Sequence, residues 1–574
     1  MEQIISGVIK KLFDVDQDVV LTRPEPQFGD YATNVALQYW KQFTQAVDSD
    51  FHSGIKLAVT NRPPSNPIEL AEIIAAELRK NNDFSDVTVA GPGFINLKLS
   101  NAGLLALTKK EPELVYAGKN LVFEYSCPNA FKELHTGHLY QTIYGDIVAR
   151  LMLIGGAKLQ RTSFGGDVGL HVAKCLWGMR ERLGGEHPES LADIPPDAFE
   201  RSKWISESDV LGAKAYEENA AKKQQIDQLN KTIYGFHDNK DYTSPLAKIY
   251  WETRMWSFEY FDAFYSLIDV VPMRYYPESQ TAPVGLEVVQ EQLEKGILKR
   301  SDGAVVYEGD ESKHLHTRVF ITSQGLPTYE TKDIGVIWLE KQDFSFDHRY
   351  LLTGNDQKEY MRVVFAAAEE FSPELAGAMT HFTNGTVRFG DGKKMSSRLG
   401  NVSRAIEVID AVKEKVAELV DDISLVDTVA LGAVKYAFAR YRLGGDINFD
   451  IDETVSLQGN SGPYLQYAHA RAKSILAKAT ATPAIITQIH DEDRALVRKL
   501  GEYHEVVSHA TRELAPHHIC NYLFELAQEF NRYYEKNQVV GSDKEAHRAG
   551  LVTLYADTVK AGLTILGISA PEKM

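Results

Sequence analysis

The chain has 574 residues, of which 44% are hydrophobic and 25% charged, and its formal net charge is −17 at pH 7. This length predicts three or four domains rather than one core, and the composition is typical of a folded globular protein. No apolar run approaches the roughly 18 residues that span a bilayer, so no membrane segment is expected.

The three cysteines are scattered without a CxxC pair, which excludes a disulfide framework and an all-cysteine zinc site and indicates a reducing cytoplasm. The negative charge argues weakly against a nucleic-acid partner without excluding one, because phosphate contacts depend on local clusters of Lys and Arg.

The first 110 residues mix helical periodicity with short strands. Their opening predicts an amphipathic helix rather than a secretory signal, because apolar residues recur at helical spacing at Ile5, Val8, Ile9 and Leu12. A glycine turn leads into an alternating strand over 90–99. The break over 103–119 is the first expected linker.

A parallel sheet is predicted next. Residues 121–126 are a compact apolar strand, 139–153 carry helix-spaced apolar residues ended by a glycine pair, and 158–164 are a second strand. Strand, helix and strand at this length form a βαβ unit, whose strands are parallel with a right-handed crossover. Further short strands are expected at 303–307 and 350–353, with the sheet resuming around 328–353.

Two short motifs indicate ATP chemistry. His135-Thr-Gly-His138 lies between the first predicted strand and its helix, where an open parallel sheet binds ligands. The two imidazoles should lie side by side and donate to phosphoryl oxygens, and Gly137 should let a nucleotide approach the backbone. The stretch 393–398 (Lys-Lys-Met-Ser-Ser-Arg) is a glycine-flanked basic loop that suits a pyrophosphate leaving group. Taken alone, each motif fits a solvent-exposed turn at least as well.

In this order the two motifs resemble the HIGH and KMSKS signatures of class I aminoacyl-tRNA synthetases. The run 125–139 resembles the arginyl-tRNA synthetase form of the first motif, and 326–334 with 353–357 resemble that family's arginine pocket. Residues 462–471 resemble the opening of its anticodon-binding domain, and 28–34 its appended N-terminal domain. The resemblance runs from end to end. It implies an α/β fold: a Rossmann-type, doubly wound parallel-sheet catalytic domain, an α+β N-terminal domain and a C-terminal α-helical bundle.

The expected domain boundaries follow from these segments. Residues 1–110 would be the N-terminal domain that contacts the tRNA elbow. Residues 118–423 would be the catalytic domain, with a helical insertion over about 184–300 and the KMSKS-type loop at 392–401. Residues 424–574, where Gly and Pro are sparse and apolar residues are helix-spaced, would be the anticodon-binding domain.

The resemblance also implies which residues meet the substrates. Catalysis would involve His135, His138, Lys132 and Lys394. ATP would also contact Gly137, Met395 and Ser396. Arginine would contact Cys127, Asn129, His138, Tyr329, Asp333 and Gln357. Asp333 would pair the planar guanidinium bidentately, with Tyr329 one helical turn earlier on the same face. Without the resemblance, an exposed carboxylate and a core aromatic would be the preferred interpretations.

The implied reaction has two steps. The arginine carboxylate attacks the α-phosphate of ATP, complexed with Mg²⁺, and the arginyl group then passes to the 2′ hydroxyl of the terminal adenosine of tRNA(Arg). Catalysis would rest on positioning and charge stabilisation, and no editing site, zinc or other protein-bound metal is expected. Most family members need bound tRNA before they activate the amino acid. The chain is expected to be a cytoplasmic monomer.

Two positions depart from the family pattern. Cys127 stands where the family usually has serine, and a thiol is the weaker hydrogen-bond donor. Ser397 stands where KMSKS has its second lysine. We expect Lys132 and Lys394 to share the phosphate charge, with Arg398 as a helper.

Alternatives remain open on sequence grounds. Tyr464, Tyr467, His469 and Arg471 are candidate RNA contacts, yet the two tyrosines are spaced as core residues would be, and both interpretations have equal weight. The cysteine, glutamine and glutamate enzymes of the same class fit less well, because the chain lacks zinc-ligand cysteines and carries the Tyr329–Asp333 pairing. A catalytically silent paralogue that binds tRNA is the alternative from another functional class.

Overall fold

The computed structural model describes residues 1–45, 64–389 and 404–574. The chain folds into two compact units. The first comprises Met1–Pro112, Ser474–Val506 and Glu525–Thr558, and the second comprises Glu113–Lys473, Val507–Phe524 and Val559–Met574. Within these described ranges, no helix is long and apolar enough to cross a membrane.

In chain order, the helices are α1 (Glu2–Phe13), α2 (Val35–Gln45), α3 (Pro67–Leu78), α4 (Asn101–Leu107), α5 (Thr136–Ile154), α6 (Leu170–Arg182), α7 (Ala198–Glu218), α8 (Ala220–Asp238), α9 (Pro245–Leu267), α10 (Glu278–Glu294), α11 (Tyr329–Phe344), α12 (Lys358–Phe371), α13 (Ala405–Ala417), α14 (Val426–Ala439), α15 (Ile451–Thr454), α16 (Gly462–Lys478), α17 (Arg494–Gly501), α18 (Tyr503–Glu513), α19 (His517–Lys536) and α20 (Glu545–Ile565). The strands are β1 (Tyr31–Thr33), β2 (Phe84–Ala90), β3 (Phe94–Leu99), β4 (Asn120–Glu124), β5 (Lys158–Gly165), β6 (Arg274–Pro277), β7 (Lys299–Ser301), β8 (Ala304–Tyr307), β9 (Arg318–Ile321), β10 (His348–Gly354), β11 (Met379–Asn384), β12 (Val387–Phe389) and β13 (Ile447–Phe449).

The first unit contains an antiparallel sheet of order β1-β3-β2 together with α1, α2 and α3. Helix α1 buries Ile5, Ile9 and Leu12, each at most 2% exposed, which confirms the predicted amphipathic helix. In the turn between β2 and β3, Gly91 and Gly93 have φ angles of 53° and 127°, a region that glycine occupies without steric cost.

The contacts of Asp30 explain how the 28–34 segment is held in the first unit. Its buried carboxylate accepts the backbone N–H of Leu99 at 2.7 Å and forms ion pairs with Arg494 Nη2 at 2.7 Å and Arg498 Nε at 3.1 Å. A Cβ added at the preceding Gly29 would lie 2.7 Å from the carbonyl oxygen of Leu97, so the close approach of the two chain segments requires glycine. Asp30 therefore ties α17 to the N-terminal sheet within this unit.

The second unit is built on a five-stranded sheet of order β11-β10-β4-β5-β6, and every pairing in it is parallel. After β4 the chain adds β5 on one side, whereas β10 lies on the other, so the strand order reverses at β4. Ligands bind outside the carboxyl ends of the strands at such a switch point. The observed sheet confirms the doubly wound α/β class, and β4, α5 and β5 confirm the predicted βαβ unit.

Several sequence-based boundaries differ from the structure. The range 184–300 is not a purely helical insertion, because β6 within it forms an edge of the main sheet by pairing with β5. The sheet therefore extends earlier than the expected resumption. The predicted strand 303–307 exists as β8, but it belongs to a separate antiparallel sheet of order β7-β8-β9. The predicted linker 103–119 begins inside α4, and β13, which pairs with β12, interrupts the region expected to be all helical.

Candidate active site

The turn that follows β4 has an unusual backbone conformation. Ser126, Cys127 and Phe131 have φ angles of 72°, 43° and 67°, a region that residues with side chains rarely occupy unless their surroundings hold them there. The buried hydroxyl of Ser126 lies 2.6 Å from Thr142 Oγ1 and 2.8 Å from Tyr265 Oη. These contacts fix the turn at the carboxyl end of β4, directly before α5.

The loop after β5 lies against the same turn. The side-chain carbonyl of Asn129 accepts a hydrogen bond from the N–H of Gly166 at 2.8 Å, and Ala130 donates its N–H to the carbonyl of Gly166 at 2.8 Å. A Cβ at Gly165 would lie 2.0 Å from the carbonyl oxygen of Pro128, so this approach also depends on glycine. The carboxyl ends of two neighbouring parallel strands are thereby joined.

His135 and His138 lie at the start of α5 with their rings stacked, 3.7 Å between centroids, as the three-residue spacing predicts. His135 is the N-cap: its Nδ1 accepts the N–H of Gly137 at 3.0 Å and that of His138 at 3.4 Å. In return, the Nδ1 of His138 accepts the N–H of His135 at 3.3 Å. Since both Nδ1 atoms accept, the proton of each neutral ring resides on Nε2.

The charge state of the two histidines follows from their surroundings. Burial and the nearby positive charge of Lys132 lower the pKa of His135. Burial, with the charge of Lys132 and the repulsion that a protonated His135 would add, holds the pKa of His138 well below its ordinary value. Both rings are therefore neutral near pH 7, and each presents an Nε2–H donor.

Gly137 has a steric role at the start of α5. A Cβ at this position would lie 2.8 Å from Cε1 and 2.9 Å from Nδ1 of His135. The glycine therefore makes room for the capping imidazole, which folds back over the first turn of α5. The predicted contact between Gly137 and a nucleotide stays a prediction, and Gly137 lines the cavity described next.

One cavity of about 760 Å³ brings together most of the predicted site residues. It lies in the second unit and is lined by residues from the carboxyl ends of β4, β5 and β10 and from the starts of α5, α11 and α12. Its lining includes these residues named from the sequence: Cys127, Asn129, His135, Gly137, His138, Tyr329, Asp333 and Gln357.

Asp333 is the buried carboxylate of this cavity. It lies on α11 and is 8% exposed, whereas Tyr329 at the start of the same helix is 65% exposed. The hydroxyl of Tyr360 on α12 donates a hydrogen bond to Asp333 Oδ2. Burial raises the pKa of Asp333 to about 7, against the opposing effects of Tyr360 and the positive charge of Arg349. The side-chain amide of Gln357 donates to Asp356 at 3.0 Å.

A buried ionic network beneath the cavity was missed at the sequence level. Arg349 on β10, 1% exposed, pairs through Nη2 with Glu124 on β4 and through Nε with Glu340 on α11 at 2.6 Å. Burial raises the pKa of Glu124, and Arg349 opposes that shift. The thiol of Cys127 lies 3.4 Å from Glu124 Oε1 and donates to it. The only sequence signal for this network is a glutamate inside an otherwise apolar strand.

Two other lining residues, Glu278 and Tyr360, were also missed. Glu278 on α10 forms a buried pair with Lys332 on α11, with 2.6 Å between the charged atoms. Neither Glu278 nor Tyr360 belongs to a motif, and no local pattern in the sequence indicates that either lines the site.

Lys132 does not line the cavity. Its Nζ lies 3.7 Å from Asp209 Oδ2 on α7. Its charge still reaches the paired histidines, as their lowered pKa values indicate. The other predicted phosphate contacts, namely Lys394, Met395, Ser396 and Arg398, and the departure at Ser397 lie outside the described residues.

The predicted RNA contacts on α16 divide by exposure. Tyr467 is 42% exposed, and Arg471, one helical turn later, is also exposed. Tyr464 is half-buried and its ring contacts Phe524 edge-on, with 5.7 Å between centroids. His469 is buried, and its Nδ1 lies 2.8 Å from the carbonyl of Pro571. Of the two tyrosines, Tyr464 packs partly in the core and Tyr467 has the exposed surface that an RNA contact requires, whereas the buried His469 lacks such a surface.

The first unit contains a group of possible metal ligands outside this cavity. His490, Asp493 and His547 bring ligand atoms within 4.8 Å of one another. The Asp493 carboxylate already accepts from the N–H of His490 at 2.9 Å and from the hydroxyl of Tyr533 at 3.2 Å, and lies 2.7 Å from His547 Nε2. These contacts give the cluster a structural role in joining α17, α19 and α20.

A parallel sheet with its ligand cavity at the switch point, and with paired histidines at the start of the adjoining helix, is the arrangement expected of a class I aminoacyl-tRNA synthetase. The family model for the catalytic domain of class I tRNA synthetases (R) matches residues 102–443. The models for the arginyl-tRNA synthetase N-terminal domain and the DALR anticodon-binding domain match residues 1–99 and 465–574.

Whole-length relatives give the same assignment. The chain is 32% identical over 568 residues to the arginine–tRNA ligase of Frankia casuarinae, covering 92% of this chain and 93% of the relative. It is 28% identical over 553 residues to that of Flavobacterium psychrophilum, covering 90% and 91%. The chain belongs to the arginyl-tRNA synthetase family.

Solved structures of the family share the fold. The arginyl-tRNA synthetase of Thermus thermophilus superposes with a TM-score of 0.78 at 22% identity, covering 100% of this chain and 99% of that one. The enzyme of Plasmodium falciparum gives 0.75 at 20% identity, covering 100% and 98%.

Proposed function

We propose that this chain is an arginine–tRNA ligase. It activates L-arginine with MgATP, forming arginyl-adenylate and pyrophosphate, and transfers the arginyl group to the terminal adenosine of tRNA(Arg) with release of AMP. Family membership over the whole chain supports this reaction. The observation that carries it is a buried carboxylate, Asp333, in the same cavity as the capping histidines His135 and His138.

The side chain of arginine binds at Asp333. A carboxylate accepts the planar guanidinium through two parallel hydrogen bonds, whereas a lysine ammonium offers only a point charge. Tyr329, exposed at the start of α11, covers the guanidinium, and the amide of Gln357 adds hydrogen bonds. A substrate without the guanidinium leaves a buried charge unpaired, which is why no editing step is needed.

The other end of arginine binds near the turn after β4. Because the side-chain carbonyl of Asn129 is committed to Gly166, its amide hydrogens serve the substrate carboxylate, together with His138. Cys127 contributes to the site through its hydrogen bond to Glu124 and does not act as a nucleophile. Burial keeps the pKa of its thiol well above the ordinary value, so the group stays protonated.

ATP binds along the start of α5. The Nε2–H groups of His135 and His138 donate to the phosphates, where charge builds in the transition state, and the positive end of the helix adds to this stabilisation. Mg²⁺ enters with ATP as part of the substrate and screens its phosphates. Further phosphate charge is carried by Lys132, which must leave Asp209 to reach the nucleotide, and by the loop residues Lys394, Met395, Ser396 and Arg398.

The remaining parts of the chain recognise tRNA. We assign residues 1–110 to the tRNA elbow, 118–423 to catalysis and 424–574 to the anticodon. Tyr464, Tyr467 and Arg471 are the proposed RNA contacts, of which the exposed Tyr467 and Arg471 fit the role better. The enzyme acts as a cytoplasmic monomer.

The test is arginine-dependent exchange between ATP and pyrophosphate, with and without a tRNA(Arg) transcript. The Asp333→Asn variant should lose roughly a hundredfold or more in kcat/KM for arginine, since it removes a buried charge that pairs with the substrate. Asp343→Asn is the matched control on the same helix, because Asp343 pairs with Arg274 and does not line the cavity.

The outcomes separate the alternatives. Exchange only with tRNA present would establish both arginine activation and tRNA gating, and exchange without tRNA would keep the ligase but remove the gating. Bound tRNA without exchange under either condition would identify a silent paralogue. Equal losses in Asp333→Asn and Asp343→Asn would contradict the assigned arginine pocket.

A further inference from the structure

Asp333 depends on one neighbouring side chain for its orientation. Tyr360 Oη donates to Asp333 Oδ2, and within the described parts of the chain no other group donates a hydrogen bond to this carboxylate. Tyr360 lies three residues after Gln357, in the first turn of α12, and it also lines the cavity. Helix α12 therefore contributes to the same pocket as α11, the helix that carries Asp333.

We propose that Tyr360 is a positioning residue for arginine: its hydroxyl fixes the Asp333 carboxylate in the rotamer that receives the guanidinium fork. This inference rests on the proposed function and deepens it. With Oδ2 held by the phenol, Oδ1 and the second lone pair of Oδ2 remain for two parallel N–H donors. Without the phenol, the carboxylate can rotate about its last side-chain bond, and part of the binding free energy is lost in fixing it.

The same hydrogen bond also affects ionisation. Several charged groups lie around Asp333. The acids are Glu330 on its own helix, Glu278 on α10 and Glu124 on β4, and each has a cationic partner, which is Arg318 on β9, Lys332 on α11 and Arg349 on β10 respectively. Burial and the carboxylates raise the pKa of Asp333 to about 7, and the Tyr360 hydroxyl lowers it. Tyr360 stays a donor throughout the neutral range, because burial and Asp333 hold the pKa of its phenol well above the ordinary value.

The test compares Tyr360→Phe with the native enzyme in the arginine-dependent reaction. A hydrogen bond to a charged group predicts a rise of roughly ten- to a hundredfold in KM for arginine, with kcat and KM for ATP nearly unchanged. The pH profile gives the more specific result. In the native enzyme KM for arginine falls as pH rises through about 7, because the carboxylate must be ionised. In Tyr360→Phe that fall should move to higher pH, since the group that favoured ionisation is gone.

Tyr307→Phe is the matched control. Tyr307 also donates to a carboxylate on α12, Glu370 at 2.9 Å, but it does not line the cavity. We expect it to leave KM for arginine and its pH profile unchanged. If Tyr360→Phe proves unstable in thermal melts, 3-fluorotyrosine at position 360 keeps the shape and strengthens the donor, and should move the profile to lower pH.

Two results would overturn the proposal: an unchanged KM and pH profile in Tyr360→Phe, or a fall in kcat and melting temperature without a displaced pH profile. Failure of the proposed function is distinguishable, because the native enzyme would then show no arginine-dependent exchange before any variant is compared.

Discussion

Replacing Arg349 by methionine should destabilise the catalytic unit strongly and in a pH-dependent manner. The guanidinium pairs with Glu124 and Glu340, and all three side chains are at most 2% exposed. Removing one partner of a buried ion pair costs about 3–5 kcal/mol, because the remaining charges are left uncompensated. Methionine keeps the apolar stem volume, so the loss of packing is small.

The pH dependence follows from the Glu124 carboxyl group that is left without its cation. Arg349 lowers the pKa of Glu124 in the native protein, so its removal raises that pKa further above the unfolded value. Between those two pKa values the folded state binds more protons than the unfolded state, so the free energy of unfolding falls as pH rises. The loss should therefore be larger at pH 8.5 than at pH 5, where the Glu124 carboxyl group of the folded variant is protonated.

Urea unfolding followed by tryptophan fluorescence measures this effect, since five of the six tryptophans lie between residues 177 and 338. Arg362→Met is the control: Arg362 pairs with Glu359 at 3.3 Å, and both side chains are about half exposed, so a change of about 0–1 kcal/mol is expected. A loss for Arg349→Met no larger than in this control, or one equal at both pH values, would refute the reasoning.

Three further changes test other parts of the structure. Gly137→Ala places a methyl group 2.8 Å from His135 Cε1 and so displaces the His135 ring. Pyrophosphate exchange should then fall roughly ten- to a hundredfold while the melting temperature stays nearly constant. Unchanged exchange would show that the position of the His135 ring is not critical. Burial lowers the pKa of Lys435 to about 8, so between pH 8 and 10.5 this side chain is deprotonated in the folded state and protonated in the unfolded state. The free energy of unfolding of the native protein should therefore rise with pH over that range. Urea titrations of Lys435→Met should lack that rise. Asp493→Asn should lower the free energy of unfolding by about 1–3 kcal/mol in urea melts, because the Tyr533 hydroxyl, the His490 N–H and the His547 ring lose a charged acceptor. An unchanged free energy of unfolding would refute the role of this cluster in joining α17, α19 and α20.

The local elements of the catalytic sheet were predictable because strand and helix periodicity depends on near neighbours in sequence. The strand at 121–126, the helix at 139–153 and its glycine end all correspond to observed elements. Strand β6 was missed for the same reason: it has four residues and ends in a proline, so no alternation marks it. Its place in the sheet is decided by pairing with β5, about 110 residues earlier in the chain.

The motif residues of the site could likewise be named from sequence, because the histidines and their glycine act within a single helical turn. The groups that act on them could not. Tyr360 reaches Asp333 across 27 residues, and Arg349 reaches Glu124 across 225. Lys132 was expected at the phosphates, yet it lies beside Asp209, a partner that no local pattern reveals.

The sequence by itself determined the family, the order of the catalytic motifs and the residues proposed to meet the substrates, because these reside in short contiguous stretches. Only the tertiary structure decided which buried charges support those residues and where the cavity closes around them. The physical reason is that a buried charge is tolerated only beside a partner. That partner is supplied by whichever strand or helix the fold brings near, at a sequence distance that no periodicity encodes.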